Sequence, residues 1–261
     1  MDFSIDSRVE ENEVCFCSLW TSQLNVLDCA NIFINKKLSE DYFFNRLSIK
    51  DCNNTKSTLE ECIKIQHIRN KTNCYIYIAD SKENDNKLEK LLIKKGFSQI
   101  DVLQISVLRS DNAYNNKKYY GRDARDIRVV TINKGSIGLW SELFSTSFDV
   151  PEWRYEVEKI MNVNFDRLLL LVSYFENKPA GCCALLSKDS ITGLYCLGTL
   201  SCFRHRGLAR KMILKCIEVA KQQGSEFLLI QTFWSEKLTR FYRKNRFKTL
   251  YNKKVYALYH Q

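Results

Sequence analysis

The sequence predicts an α/β (α+β) protein built from two similar halves, and three observations carry the prediction. Strand-like apolar runs alternate with amphipathic helical runs along the chain. The heptad Leu91–Phe97 (LLIKKGF) lines up with Phe241–Phe247 (FYRKNRF), 150 residues further on. Each heptad follows an apolar strand-like run and precedes a closing one, which is the mark of an internal repeat. Finally, Leu194–Leu200 passes through a short basic loop into a helix with Ile213, Ile217 and Ala220 along one side.

In chain order, strand-like stretches fall at Val14–Leu19 and Tyr42–Ile49, with helix patterns over Leu24–Lys37 and Thr58–Arg69. Cys74–Ala79 reads as a strand, and Leu88–Phe97 as a helix stopped by Gly96, where glycine supplies the left-handed cap. Ile100–Leu108 alternates as a further strand, and the polar, charged run 113–126 is the expected linker. The second half opens with a strand at Ile127–Ile132. Two helices come next, at Gly138–Ser147 and Trp153–Met161, with Pro151 near the start of the second. Leu168–Phe175 and Ala180–Ser187 form a hairpin across Glu-Asn-Lys-Pro, and Lys188–Ser190 turns into the strand ahead of the basic loop. Phe227–Phe233 is another strand, Ser235–Phe247 a helix, and Val255–Tyr259 the closing strand. The expected domains are therefore 1–112, a linker over 113–126, and 127–261.

The basic loop reads R-x-x-G-x-A, with Arg204, Gly207 and Ala209 at the fixed positions. Glycine lets backbone approach a bulky ligand, and the first N–H groups of the next helix, with its dipole, attract an anion. Alone, the pattern also fits an ordinary strand-to-helix turn with a solvated basic face. Two further pieces stand in order after it: the strand Phe227–Phe233 and the helix Ser235–Phe247, with Tyr242 inside it. With these, the second half resembles the GNAT superfamily of acyl-CoA-dependent N-acyltransferases. That family carries an R/Q-x-x-G-x-G/A loop and an N-x-x-A-x-x-x-Y-x-x-x-G-F helix.

The resemblance implies two GNAT-like domains, each a mixed, mainly antiparallel sheet flanked by helices, in a tandem arrangement. It implies an N-acetyltransferase that moves an acetyl group from acetyl-CoA, as co-substrate and without a metal, to a primary amine of a small-molecule or protein acceptor. Leu197 and Thr199 would offer backbone groups to the pantetheine and the acyl carbonyl. Arg204, His205, Arg206, Gly207, Leu208, Ala209 and Arg210 would hold the pyrophosphate, chiefly through main-chain N–H groups. Ser235 would cap its helix or touch the coenzyme, and Tyr242 would protonate the departing thiolate as general acid. Unperturbed tyrosine and thiol pKa values lie about 1.5 units apart, so the hydroxyl can serve as donor. No general base stands out; Asp149 and Glu152 are candidates. Phe148, Trp153 and Tyr155 either shape an acceptor pocket or are core aromatics, and for at least two of them the core is expected. The chain departs from the family pattern at Ser201, Ser235, Leu238 and Arg246. Arg246, in place of glycine, implies a helix that ends differently. In the first half Leu92 stands where Tyr242 stands, and Asp51–Lys56 carries no glycine, so that copy is read as degenerate.

Charge supports the same half. Residues 1–115 hold 15 basic and 17 acidic side chains, leaving 25 and 13 for the remainder of a chain with net charge +10. A basic half suits the phosphates of coenzyme A. It also suits nucleic acid, but no nucleic-acid fold signature accompanies it, so that partner is not expected. The 11 cysteines include no C-x-x-C pair, which leaves zinc spacing absent and points to thiols in a reducing, cytoplasmic setting. Cys196 and Cys202 flank the loop, and one could act as a nucleophile, though no histidine–carboxylate pair is evident beside either. No apolar run is long enough to span a membrane, and the acidic, polar start MDFSIDSRVEENEV is unlike a secretory signal. The alternative function is a catalytically silent acyl-CoA-binding regulatory or protein-interaction module.

Overall fold

The computed structural model describes residues 4–27, 30–38, 41–49, 60, 63–64, 73–80, 85–111 and 126–259. The sequence-predicted connection Asp51–Lys56, most of the helix Thr58–Arg69 and nearly all of the linker lie outside the described residues. Along the chain run α1 (Ile5–Trp20), β1 (Gln23–Leu27), β2 (Ala30–Ile34), β3 (Arg46–Ile49), β4 (Cys74–Ala79), α2 (Asp85–Lys94) and β5 (Ser98–Arg109). Then come β6 (Ile127–Thr131), α3 (Ile137–Ser147), α4 (Arg154–Val163), β7 (Leu169–Phe175), β8 (Lys178–Lys188) and β9 (Ile191–Thr199). The chain continues through α5 (Leu208–Gln222), β10 (Phe227–Phe233), α6 (Glu236–Lys244) and β11 (Lys248–Leu258). Two compact units result. One gathers Met1–Glu13, Val107–Ile230 and Asn245–Lys248; the other gathers Val14–Ser106, Gln231–Lys244 and Thr249–Gln261.

In the unit that holds most of the first half, the strands lie in the order β1-β2-β3-β4-β11-β5. Neighbours are antiparallel at β1/β2, β2/β3 and β4/β11 and parallel at β3/β4. Cys74–Ile78 is buried without interruption, as expected of a strand covered on both faces. Against it pack Ile32, Ile34, Leu47, Leu88, Leu92 and Phe97. The helix α2 ends as predicted: Gly96 sits at φ +87 and the Phe97 N–H reaches the Leu92 carbonyl at 3.0 Å.

Three expectations for this region fail, each for a visible reason. Val14–Leu19 is helical, as part of α1. The residues of that helix buried to 1% exposure or less are Val9, Asn12, Glu13, Phe16, Cys17 and Trp20. This is a helical stripe in which two polar residues occupy core positions, so the apolar pattern looked shorter than it is. Leu24–Lys37 forms two strands; in β2 all five residues are buried, so both faces are covered and no strand alternation shows. Only Arg46–Ile49 of the third stretch is strand, because Asp41 Oδ1 accepts the Phe44 N–H at 2.7 Å and turns the chain first.

The other unit carries the order β6-β7-β8-β9-β10, antiparallel except for the parallel β9/β10 pair. Both hairpin turns use residues at positive φ, Glu176 and Asn177 in one and Asp189 and Ser190 in the other. That matches the twist of the strands they join. Within each unit the strand pairing is thus mixed and mainly antiparallel, with helices packed on the strands. Trp140 of α3 is fully buried and donates its Nε1–H to the Cys183 carbonyl at 2.9 Å. On α5, Leu208, Met212, Ile213, Cys216, Ile217, Val219 and Ala220 are buried, each large apolar side chain contributing about 1.5–3 kcal/mol. The first turns of α1 are fixed to the β8–β9 hairpin. Asn12 Nδ2 donates to the Leu186 and Ile191 carbonyls, both at 3.1 Å, and its Oδ1 accepts the Tyr195 hydroxyl at 2.8 Å. Gly193 makes the room: a Cβ there would lie 2.4 Å from Asn12 Oδ1 and 2.2 Å from the Tyr195 ring.

Candidate active site

The site begins with a fault in a strand. Between Cys182 and Ala184 the β8/β9 register shifts, so that two residues of β9 oppose one of β8, and Cys196 takes φ +55. This is a β-bulge, which bends a strand and re-aims the residues beyond it. The parallel ladder to β10 covers only Ile191–Leu194 against Phe227–Ile230. Beyond it, among the described residues, the β9 ladder runs on β8 alone. Leu197 and Thr199, both half-buried, lie on this stretch. Backbone without a second ladder is free to pair with an extended ligand.

Past β9 the chain makes a short 3₁₀ turn, Ser201–Phe203, and enters the loop. His205 stands at φ +64 and Gly207 at φ +87, the latter at the N-cap of α5. A left-handed residue directly before a right-handed one, as Gly207 is before the first residue of α5, turns successive N–H groups toward one concave side, a nest that suits an anion. The N–H groups of Leu208 and Ala209 open α5, where helix geometry offers them no carbonyl of the preceding turn. A Cβ on Gly207 would meet only Ile127 Cδ1, at 3.9 Å, so the glycine answers to its positive φ and not to crowding by the protein.

The arginines of the motif have unequal roles. Arg204 is tied back to the protein: its Nε donates to the Thr199 carbonyl at 3.1 Å and its terminal nitrogen to the Ser147 carbonyl at 3.2 Å. Arg206 lies over the Phe175 ring, 4.9 Å from its centroid, and that ring in turn contacts Phe203. Arg204, His205, Arg206 and Gly207 are exposed, whereas Leu208 anchors the loop in the core with Ile127, Phe175 and Ala180.

Sequence reasoning singled out Phe148 at the end of α3 but not Ser147. A Cβ on Gly198 would fall 2.7 Å from Ser147 Cβ and 3.2 Å from the Phe148 ring, so α3 lies directly on β9 at this point. Glycine inside a strand pattern marks such an approach, and that signal was present in LYCLGTL. The expectation that at least two of Phe148, Trp153 and Tyr155 are core residues is overturned, because Phe148 is 46% and Tyr155 80% exposed. Asp149 and Glu152 are exposed beside them in the chain.

The cysteines near the loop have divergent surroundings. Burial pushes the Cys182 and Cys183 thiols well above the ordinary range, which makes them poor nucleophiles. Cys202 is exposed, and none of the described cysteines is in a disulfide. Among the described residues no group of three or more His, Cys, Asp or Glu side chains is placed to hold a metal ion.

Ser235 and Tyr242 belong to the other unit, on α6 and at its start. The Ser235 carbonyl accepts the Thr239 N–H at 2.8 Å. Its hydroxyl makes no hydrogen bond among the described residues, so the expected side-chain cap is not formed. Tyr242 is half-buried with its ring tilted 67° to that of Phe241. Arg246 corrects the expectation of a different helix end: it adopts φ +67, the conformation Gly96 has after α2, despite carrying a Cβ.

Residues 136–247 match the model of the Acetyltransferase (GNAT) family. No curated protein matches the chain. Among solved structures, a conserved protein of unknown function from Staphylococcus epidermidis shares 17% identity over 92% of this chain and 95% of its own, with a TM-score of 0.68. A GCN5-related N-acetyltransferase from Kribbella flavida shares 10% identity over 97% and 96%, with a TM-score of 0.69. A tandem GNAT protein from the clavulanic acid biosynthesis pathway shares 8% identity over 82% and 75%, with a TM-score of 0.62.

Proposed function

We propose, from the match of residues 136–247 to the GNAT family, that the chain is an N-acetyltransferase using acetyl-CoA as co-substrate and a primary amine as acceptor. The observation that carries the reading is the continuous backbone surface from the bulged strand β9 through the left-handed loop to the start of α5. The pyrophosphate would sit in the nest of Arg204–Arg210, and the pantetheine would pair with β9 at Leu197 and Thr199. The acyl carbonyl would take a backbone N–H of that strand, a fixed donor aimed where negative charge develops on the oxygen. The acceptor amine, as its neutral form, attacks the thioester carbon; the nitrogen gives up a proton to solvent, the carbon–sulfur bond breaks, and the thiolate needs a proton. We assign that proton to the Tyr242 hydroxyl, which stands at the tyrosine position of the family's helix.

Acetyl transfer to a panel of amines, monitored by thiol release, tests the assignment. Tyr242→Phe is expected to lower kcat by about 10²–10⁴-fold with little change in acetyl-CoA affinity. Full turnover by that variant across the pH range refutes the acid role. Acetyl-CoA binding without transfer to any amine favours the silent, coenzyme-binding module instead.

A further inference from the structure

The most lopsided charge distribution on a single element is that of α6, whose sequence is EKLTRFYRK. At about 100° per residue, Lys237, Arg240, Arg243 and Lys244 fall within one arc about 120° wide. All four are exposed, and none forms an ion pair among the described residues. One acidic side chain, Glu236, shares the arc and is exposed and unpaired as well. The opposite side is the packed one: Thr239 Oγ1 donates to Gln104 Oε1 at 3.2 Å, and Phe241 and Tyr242 are half-buried. Arg243 and Lys244 complement the negative end of the helix dipole, but Lys237 sits in the first turn, where a cation opposes the dipole. Helix stability does not explain it. At the same end Trp234 is 62% exposed, although its backbone N–H is fixed to the Val102 carbonyl at 2.8 Å.

We infer that this solvent-facing side of α6 is a docking surface for single-stranded nucleic acid, with the Trp234 indole as a stacking platform for a base. Charge points to a polyanion: four cations against one carboxylate share the face, at about 0, 4.5, 9 and 10.5 Å along the axis, with neighbouring cations about 5–6 Å apart. The exposed indole two residues ahead of the helix favours a strand that has bases to stack over an acidic peptide. An exposed aromatic ring beside a cationic track is also the pairing that non-specific single-strand binders use, because every base has a π-face. The surface departs from the expectation drawn from the missing nucleic-acid fold signature; it needs none, being one helix face and one ring.

The test is fluorescence anisotropy of the full chain with a labelled mixed-sequence oligonucleotide of about 20 nucleotides, titrated at several salt concentrations. Four phosphate contacts on a single strand predict a log–log salt slope of about −2.8, or about 50-fold weaker binding between 50 and 200 mM salt. Lys237→Gln/Arg240→Gln/Lys244→Gln is expected to flatten the slope to about −0.7, whereas Lys90→Gln/Lys94→Gln, exposed lysines on α2, should leave it unchanged. Trp234→Ala should weaken binding about tenfold at every salt without altering the slope. Circular dichroism of each variant establishes that it is folded. Absence of saturable binding, equal flattening by the α2 pair, or equal displacement by a poly-glutamate peptide overturns the proposal. Acetyl-CoA calorimetry on the triple variant runs in parallel and should show unchanged affinity. Lost coenzyme affinity with oligonucleotide binding retained would assign these cations to the coenzyme and also overturn it. The wild type's own acetyl-CoA affinity is read separately, so failure of the transferase reading is not confused with failure here.

Discussion

Gly207→Ala separates the loop's ligand role from its structural one. The backbone stands at φ +87, where an L-residue costs about 1–2 kcal/mol. Replacing glycine also restricts the unfolded chain, which returns about 0.4–1 kcal/mol. The nearest atom to a new Cβ would be Ile127 Cδ1 at 3.9 Å, so no clash with the protein adds to the sum. The net is a loss of about 1 kcal/mol, or a fall in Tm of roughly 2–4 °C for a chain of this size. Gly224 is a matched control, since it has φ +71, nothing within 4 Å of its Cβ position, and lies just past the far end of α5. Gly224→Ala should therefore lose similar stability. The two should part on acetyl-CoA. A methyl at Gly207 projects into the space the nest would give to the pyrophosphate and is expected to weaken binding at least about tenfold, or ~1.4 kcal/mol. Gly224→Ala should bind as the wild type does. Calorimetry with a thermal melt on each variant reads both quantities. Wild-type affinity in Gly207→Ala, or an equal loss in the two variants, refutes the assignment of the nest to the coenzyme phosphates.

Backbone strain and buried polar geometry give two stability predictions. Arg246→Gly should be about 1 kcal/mol more stable than Arg246→Ala, because both lose the arginine side chain and only glycine takes the left-handed position without strain, as Gly96 does; melting curves check it, and equal Tm values count against the strain. Asn12→Ala removes three buried hydrogen bonds, to the Leu186 and Ile191 carbonyls and from the Tyr195 hydroxyl, and should cost at least about 2 kcal/mol in a denaturant titration. Tyr195→Phe, which removes one of those bonds, should cost about 1 kcal/mol. An Asn12→Ala midpoint within error of the wild type would mean that α1 is not part of the β8–β9 core.

The legibility of the chain tracked the balance of local and distant forces. Most of the second half was readable to within a few residues, because its helices are amphipathic, its strands are strongly apolar and its turns carry their own signals; the closing strand is the exception, beginning at Lys248, seven residues ahead of the expected Val255. Asp189 and Ser190 take the positive φ that a tight hairpin requires, and Gly207 marks the loop. The first half was not, since its decisive residues break the polarity rule. Asn12 and Glu13 are buried in α1, and Arg46 is fully buried beneath Phe43 and Tyr77, with its guanidinium carbon 4.6 and 4.3 Å from their centroids. Polar groups in a core are tolerated only where distant residues satisfy them. Their partners, such as Leu186, Ile191 and Tyr195 for Asn12, lie more than 170 residues away in sequence, beyond any local window. The same limit hid Ser147, whose role shows only when Gly198 is seen against it.

That hidden contact changes how the motif's first arginine works. The pattern alone counts Arg204 among the residues that would hold the pyrophosphate and says nothing of where its side chain goes. In the structure its guanidinium is committed to two carbonyls, Thr199 at the end of the bulged strand and Ser147 at the end of α3. Arg204 therefore fastens three segments to one another: the strand proposed to pair with the acyl arm, the helix end beside Phe148, and the loop proposed to cradle the pyrophosphate. Arginine suits this task because its planar fork can serve two acceptors in different directions, which the single ammonium of lysine does less rigidly. The consequence is electrostatic as well as mechanical. A nest works through N–H dipoles that are oriented before the anion arrives, and orientation held in advance costs nothing at binding. With the Arg204 donors committed to Thr199 and Ser147, the proposed anion affinity would rest on the backbone of His205–Arg210 and on the positive field of Arg204, Arg206 and Arg210, with the motif arginine also holding that backbone still.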